Sequence, residues 1–365
     1  LKYMPVFRTR TNEKAVLKSF DFKNSIYPCI EIIKETGSSS KGKLKTKKVP
    51  TFDEYYLKLI NQISARYVFV DLPVHLRQTK NMKSETLDFL LRVVTNRVNR
   101  TDYMKKLQPA REKIIPVVST FFNINNEPNT LLLQSEDLRP VFNSIAFRTF
   151  PDTFKNDIKQ ILKVIQENDY LIMDWGTEVV ELTTNEDHYD IVEVLKKINC
   201  TVIVHRNPIP LDLTYTSLDH DEVVRRIDNS LIYNFKECGA SVFSDYAGIK
   251  RNDISDTQGV SPGFLYYDAV QNKFYGYKGK PHKDVSLKLR EFEVTIVPSV
   301  ISSSATNRML DNEMGFLDED NYGWVVLNRI NKGYEPGRSA GKFKRIGMEH
   351  YLYCIKTLIE GGVIE

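Results

Sequence analysis

Eight short apolar segments, separated by stretches of helical periodicity, constrain this chain more than any other feature. They cover residues 3–7, 26–32, 67–71, 114–119, 144–148, 170–174, 201–205 and 241–245. Several lack clean alternation of apolar and polar residues, the pattern of strands buried on both faces of a parallel sheet. Between them lie helical signals. Thr51 and Glu54 have the spacing of a capping box ahead of Tyr56, Leu59, Ile60 and Ile63. Phe154, Ile158, Ile161, Leu162 and Ile165 form one apolar stripe, and Ile191, Val194, Leu195 and Ile198 another. Val223, Val224, Ile227 and Leu231 mark a further predicted helix. Strand and helix alternating to eight strands predict an α/β chain folded as a (β/α)8 TIM-like barrel. An open doubly wound sheet is the rival; it would leave two edges unpaired, and strands of similar weight fit closure better.

The repeat breaks after Asp245. The single domain over residues 1–365 is therefore expected to carry an insertion at 246–343, after strand eight. A hairpin is predicted there, with strands at 264–269 and 273–277 flanking Gln271 and Asn272. Loops that follow barrel strands leave from the C-terminal face, so the insertion should cover that face. A second loop follows strand two from the same side. It reads GSSSKGKLKTKKV over residues 37–49, with its lysines within 41–48. It is a solvated loop or a basic flap that attracts a nucleotide or nucleic acid.

Active sites of such barrels gather at the C-terminal strand ends. Those positions hold Glu31, Asp71, Ser119, Arg148, Asp174, His205 with Arg206, and Asp245. Glu31, Asp71, Asp174, His205 and Asp245 are the catalytic candidates. Carboxylates with a histidine can hold a divalent metal. Arg148 and Arg206 can grip phosphate oxygens. Alternatively, acid and base pair with each other and close the barrel mouth. Trp175 can stack a ligand or pack against the insertion. His75, His188, His220 and His282 stand in polar contexts and read as surface. No HExxH, Walker loop, GxSxG or kinase signature occurs, which disfavours a hydrolase triad or a P-loop enzyme.

The remaining bounds are negative. A net charge of +4 is too small to imply nucleic-acid binding by itself. Cys29, Cys200, Cys238 and Cys354 form no CxxC pair, so a zinc ribbon is unsupported and a reducing, cytoplasmic setting is expected. No signal sequence opens the chain and no apolar run is long enough to span a bilayer, so no membrane insertion is expected.

Several segments resemble the Beta protein family of phage satellites and prophages. They are Tyr3-Met4-Pro5-Val6-Phe7-Arg8, Ile26-Tyr27-Pro28-Cys29-Ile30-Glu31, Ser244-Asp245-Tyr246-Ala247-Gly248 and the block from Phe343 through Arg345 and His350 to Tyr351. The chain departs from the family where Phe343 replaces a usual Trp and Tyr351 the second His of a pair. The resemblance implies a component of an anti-phage defence module: a sensor, antitoxin-like or complex-forming subunit whose partner is a toxin or effector encoded by a neighbouring gene. Glu31, Asp245, Arg345 and His350 match recurring family positions, so the resemblance favours Glu31 and Asp245 as candidate metal ligands and adds Arg345 and His350 to Arg148 and Arg206 as ligand-binding candidates. Tyr266, Tyr267, Phe274, Tyr275 and Tyr277 of the insertion are candidate docking residues, or simply the core of a packed hairpin. The alternative function is a metal-dependent enzyme acting on a nucleotide or phosphodiester.

Overall fold

The computed structural model describes residues 1–35, 49–76, 82–120, 127–251 and 261–365. Strands β1 (Tyr3–Arg8), β2 (Cys29–Glu31), β3 (Val68–Asp71), β4 (Ile114–Ser119), β5 (Ala146–Thr149), β6 (Tyr170–Asp174) and β7 (Thr201–His205) pair in parallel, each with the next. A further strand, β9 (Val242–Asp245), pairs with both β7 and β1 and closes an eight-stranded barrel. Closure leaves no barrel edge exposed. The expected fold class is the one observed.

Alternate residues divide between two cores. Met4, Val6, Cys29, Phe69, Val117, Ala146, Ile172, Ile203 and Val242 point inward and fill the barrel. Their neighbours, such as Phe7, Ile30, Val70 and Val204, point outward beneath the surrounding helices. Both sets are buried, which explains why the strands show no alternation in sequence. Helix α2 (Phe52–Asn61) starts at the predicted capping box: Thr51 Oγ1 accepts from Glu54 N at 3.4 Å and Glu54 Oε2 accepts from Thr51 N at 2.9 Å.

The second layer is a three-stranded antiparallel sheet. Strands β10 (Gly263–Asp268) and β11 (Lys273–Lys278) are the predicted antiparallel hairpin. Its third strand, β8 (Glu222–Val223), comes from the connection between β7 and β9, so this layer draws on residues before 246 as well as after. The predicted helix through Val223 and Leu231 is therefore corrected. Val223 pairs with Tyr275, and Val224 N donates to Phe274 O at 2.8 Å. Asp228 then accepts from Ser230 N at 2.9 Å in a local turn, and helix is confined to Leu231–Asn234. The hairpin aromatics Tyr266, Tyr267, Phe274, Tyr275 and Tyr277 are all buried, so they form a core and offer no free docking surface.

The terminal helix, Ala340–Glu360, packs on this sheet and on the barrel. It comes closest at the turn after β9. Gly248 has φ +69°, and a Cβ there would lie 2.5 Å from Cγ of Tyr351. Gly333 has φ +73° with nothing within 4 Å of its Cβ position. We therefore expect Gly248→Ala to cost about 2–4 kcal/mol, from backbone strain plus overpacking. Gly333→Ala, strained but unobstructed, should cost only about 1–2 kcal/mol. Urea denaturation of both variants checks this; equal losses would mean that the close approach to Tyr351 contributes nothing.

Candidate functional site

Inward parity carries a polar layer to the C-terminal end of the barrel. Above the apolar residues stand Arg8, Glu31, Asp71, Ser119, Arg148, Asp174 and His205, with Tyr246 following β9. Arg148 lies at the centre. Its Nη1 donates to Asp71 Oδ2 at 2.7 Å and to Glu31 Oε1 at 3.1 Å. Its Nε and Nη2 both donate to Asp174 Oδ2, at 3.0 and 2.6 Å. One guanidinium thus ties together the ends of β2, β3, β5 and β6. Two more guanidiniums balance the charge. Arg8 Nε donates to Glu31 Oε2 at 3.0 Å, and Arg100 Nη2 to Asp71 Oδ1 at 3.3 Å. Arg100 comes from helix α4 (Arg97–Lys105) and also bonds the Leu72 carbonyl and Gln134.

The electrostatics follow from dense packing of opposite charges. Burial works against a charged Arg148, but Asp174 and Glu31 outweigh it and hold the guanidinium well above its ordinary range. Burial would raise Glu31; the contact from His75, with Arg8 and Arg148, keeps it well below the usual carboxylate range. Asp174 is depressed in the same way, against burial, chiefly by Arg148. For Asp71 burial wins, and its carboxyl is raised despite Arg148 and Arg100.

Two histidines border this network. His75 Nε2 lies 3.2 Å from Glu31 Oε1, where it donates, and its side chain is 9% exposed. His205 Nδ1 lies 2.8 Å from Ser244 Oγ, and Ser244 gives its own proton to Met4 O at 2.6 Å. Nδ1 of His205 therefore carries the proton. Its Nε2 has no hydrogen-bond partner among the described residues and is 4.0 Å from Asp174 Oδ1, too far for a hydrogen bond. The Tyr246 hydroxyl donates to Glu31 Oε1 at 2.9 Å. Arg251 lies over the Tyr246 ring at 5.7 Å.

The other strand-end candidates do not reach the mouth. Arg206 and Asp245 follow inward residues by one position and so face the helical layer. Arg206 bonds Asp228 through its carboxylate at 3.2 Å and its carbonyl at 2.6 Å. Asp245 accepts from Tyr3 and Tyr351 hydroxyls, both at 2.5 Å, and from Ala247 N at 2.7 Å. Burial raises its carboxyl. Glu31 and Asp245 thus lie on opposite faces of the barrel wall and cannot share a cation. Among the described residues no group of three or more His, Cys, Asp or Glu side chains is placed to hold a metal. Arg345 donates to the buried Glu349 at 2.9 Å and to Ser19 Oγ at 3.3 Å, where the terminal helix packs on the helix Thr11–Ser19. His350 is fully buried, donating from Nε2 to Tyr267 O at 2.8 Å and accepting from Asn321 at Nδ1 at 2.9 Å. The lysine loop at 41–48 lies outside the described residues.

A family model for Beta protein matches residues 3–355. The chain belongs to the Beta protein family. The match runs from the first barrel strand into the terminal helix, so it takes in the barrel and the accessory layer together. No curated protein and no solved structure matches the chain. In this member of the Beta protein family Tyr351 has a clear local chemistry. Its hydroxyl serves Asp245, and its ring fills the space that Gly248 leaves open.

Sequence reasoning passed over Arg8, Arg100, His75, Tyr246 and Arg251. Arg8 and Tyr246 follow from strand parity, two residues beyond Val6 and Ser244. Arg100 and His75 carry no such signal, because a helix and a loop bring them in. The surface reading of two histidines is corrected. His75 meets Glu31, while His188 is buried against Trp175, with ring centroids 4.7 Å apart. Trp175 thereby packs toward the helical layer. Beside His75 lies a cleft of about 720 Å³, lined also by Val74, Thr120, Asn129 and Phe150.

Arg148→Met should cost about 3–5 kcal/mol, because three buried carboxylates lose their shared partner. Urea denaturation measures this; a loss under about 1 kcal/mol would show that the network contributes little. Acid sensitivity gives a second expectation. Burial pushes His75 down to about 3 and His205 and His350 down to about 4. All three stay neutral in the fold, whereas the unfolded chain protonates them near pH 6.5. Folded pKa values below the unfolded ones mean that stability is lost as pH falls from about 6.5 toward 4, by up to about 1.4 kcal/mol per pH unit for each histidine. The pH dependence of the denaturation free energy should report uptake of nearly three protons on unfolding at pH 5; uptake of none would contradict the buried neutral assignment.

Proposed function

We propose that this protein is a recognition subunit of an anti-phage defence module, acting in the cytoplasm as a sensor or antitoxin-like member of a complex. It binds a phosphate-bearing ligand at the C-terminal face of its barrel. It answers that ligand by holding or releasing a protein encoded by a neighbouring gene. Membership of the Beta protein family supports the biological setting. The site chemistry supports recognition over metal-dependent hydrolysis, and one observation carries it. The place where three carboxylates converge is taken by the Arg148 guanidinium. A cation there would have to displace a residue held by four hydrogen bonds in a water-excluded layer.

The network suits a sensor because its charges balance internally before any ligand arrives. Glu31, Asp71 and Asp174 oppose Arg8, Arg100 and Arg148, and Arg251 at the rim adds one further positive charge. An incoming anion meets that positive rim. Four free cysteines are consistent with a reducing compartment, and no helix among the described residues is long and apolar enough to cross a membrane.

Native mass spectrometry of the tagged protein, expressed with its neighbouring genes and isolated before and during phage infection, tests this reading. We expect a stoichiometric protein partner before infection that departs during it. A bare monomer in both samples, at micromolar concentration, would sink the proposal.

A further inference from the structure

The cleft beside the mouth has the size and chemistry of a small-molecule site. Its volume of about 720 Å³ lies within the range of ligand pockets, roughly 300–1,000 Å³. Its inner wall is His75, and Phe150 stands next to it with ring centroids 6.0 Å apart. His75 uses Nε2 on Glu31, while Nδ1 is buried and has no hydrogen-bond partner among the described residues. Because the ring proton is committed to Glu31, Nδ1 presents a lone pair. A ligand that completes this site must therefore bring a hydrogen-bond donor.

The outer wall is helix Phe154–Val164. Lys159 and Lys163 stand one turn apart on it, both exposed, both lining the cleft, and neither forms an ion pair with any described residue. Lys155 on the same helix is paired, with Asp187 at 3.0 Å. On this helix the lysines without an ion pair among the described residues are thus the two on the cleft side. Asp152 also lines the cleft, and Asp157 is buried in its wall, bonded by the Thr149 and Thr153 hydroxyls at 2.7 Å. These carboxylates repel an anion placed deep in the cleft and welcome hydroxyl or amino donors there. The site is polarised: donors inside, anion at the lysine rim.

We infer that this cleft binds a mononucleotide. Its phosphate lies at Lys159 and Lys163, its ring lies against Phe150, and a hydroxyl or amino donor completes His75 Nδ1. Inorganic phosphate brings no ring to this site, and a nucleoside brings no charge, so neither satisfies the whole cleft. The assignment rests on the recognition reading above and names its ligand. Occupancy reaches the Arg148 network directly, because the same imidazole that meets the ligand donates to Glu31.

Titration of the purified full chain with AMP, GMP, CMP and UMP tests the assignment, each measured by calorimetry beside its nucleoside and inorganic phosphate. At least one mononucleotide should bind with one-to-one stoichiometry, more tightly than its nucleoside, while phosphate alone gives no heat. The double substitution Lys159→Ala and Lys163→Ala changes only exposed positions. It should weaken nucleotide binding roughly tenfold or more and leave nucleoside binding unchanged. His75→Phe should weaken both ligands in a protein that still unfolds cooperatively. Absence of binding by all four nucleotides at millimolar concentration, or a lysine double variant that binds as the parent does, overturns the assignment. The two readings fail separately. Nucleotide binding with no partner protein removes the recognition subunit and keeps the site. Partner release during infection without nucleotide binding removes the site and keeps the subunit.

Discussion

A guanidinium taken out of water has to recover its hydration from fixed partners, and that requirement organises the barrel mouth. Arg148 is 2% exposed and bonds three carboxylates from three other strands. Each of those carboxylates would be as costly to bury alone. Arg8 and Arg100 take up the lone pairs that Arg148 leaves on Glu31 and Asp71. The resulting cluster is a weak source of net stability compared with apolar packing of equal volume. Its effect is on register. A shift of one residue in β2, β3, β5 or β6 would turn a charged side chain into the apolar layer outside the barrel. Apolar layers tolerate exchange of one hydrophobic residue for another; this layer does not.

How far the sequence discloses this arrangement depends on what carries each residue inward. The strands are legible because eight β-rich segments recur between helical stripes, and their C-terminal ends hold Glu31, Asp71, Arg148, Asp174 and His205. All five reach one mouth. Parity is not legible in the same way. Both faces of every barrel strand are buried, so Ser244, Asp245 and Tyr246 look alike in sequence, although Asp245 faces the helices and its two neighbours do not. Arg206 misleads for the same reason. Arg100 is invisible at this level because a surface helix delivers it, and His75 because a loop does. The short strand Glu222–Val223 is missed because its apolar spacing fits a helix until its pairing partner, the hairpin, is known.

The misassigned residues reveal the second organising feature, the junction between barrel and accessory layer. Asp245 collects hydroxyls from β1 and from the terminal helix, through Tyr3 and Tyr351. One position along the helix, His350 fixes the hairpin through the Tyr267 carbonyl and stacks on Tyr266 at 4.6 Å. These polar contacts are enclosed by aromatic rings, where each hydrogen bond is stronger and each loss dearer than in water. The layer is therefore built as a continuation of the barrel and not as a lid resting on it.

The turn from Ser244 to Gly248 joins the two features. Its residues alternate in allegiance. Ser244 orients His205, and Tyr246 donates to Glu31 within the mouth. Asp245 and Gly248 belong to the Tyr351 contact on the outside. Ala247, at φ +51°, holds a left-handed conformation that only a surrounding fixed on both sides would enforce. Tyr351 of the terminal helix therefore bonds the same turn whose Ser244 and Tyr246 reach the mouth. One five-residue turn thus carries both sets of contacts, so the barrel mouth and the accessory layer are built on a shared piece of backbone.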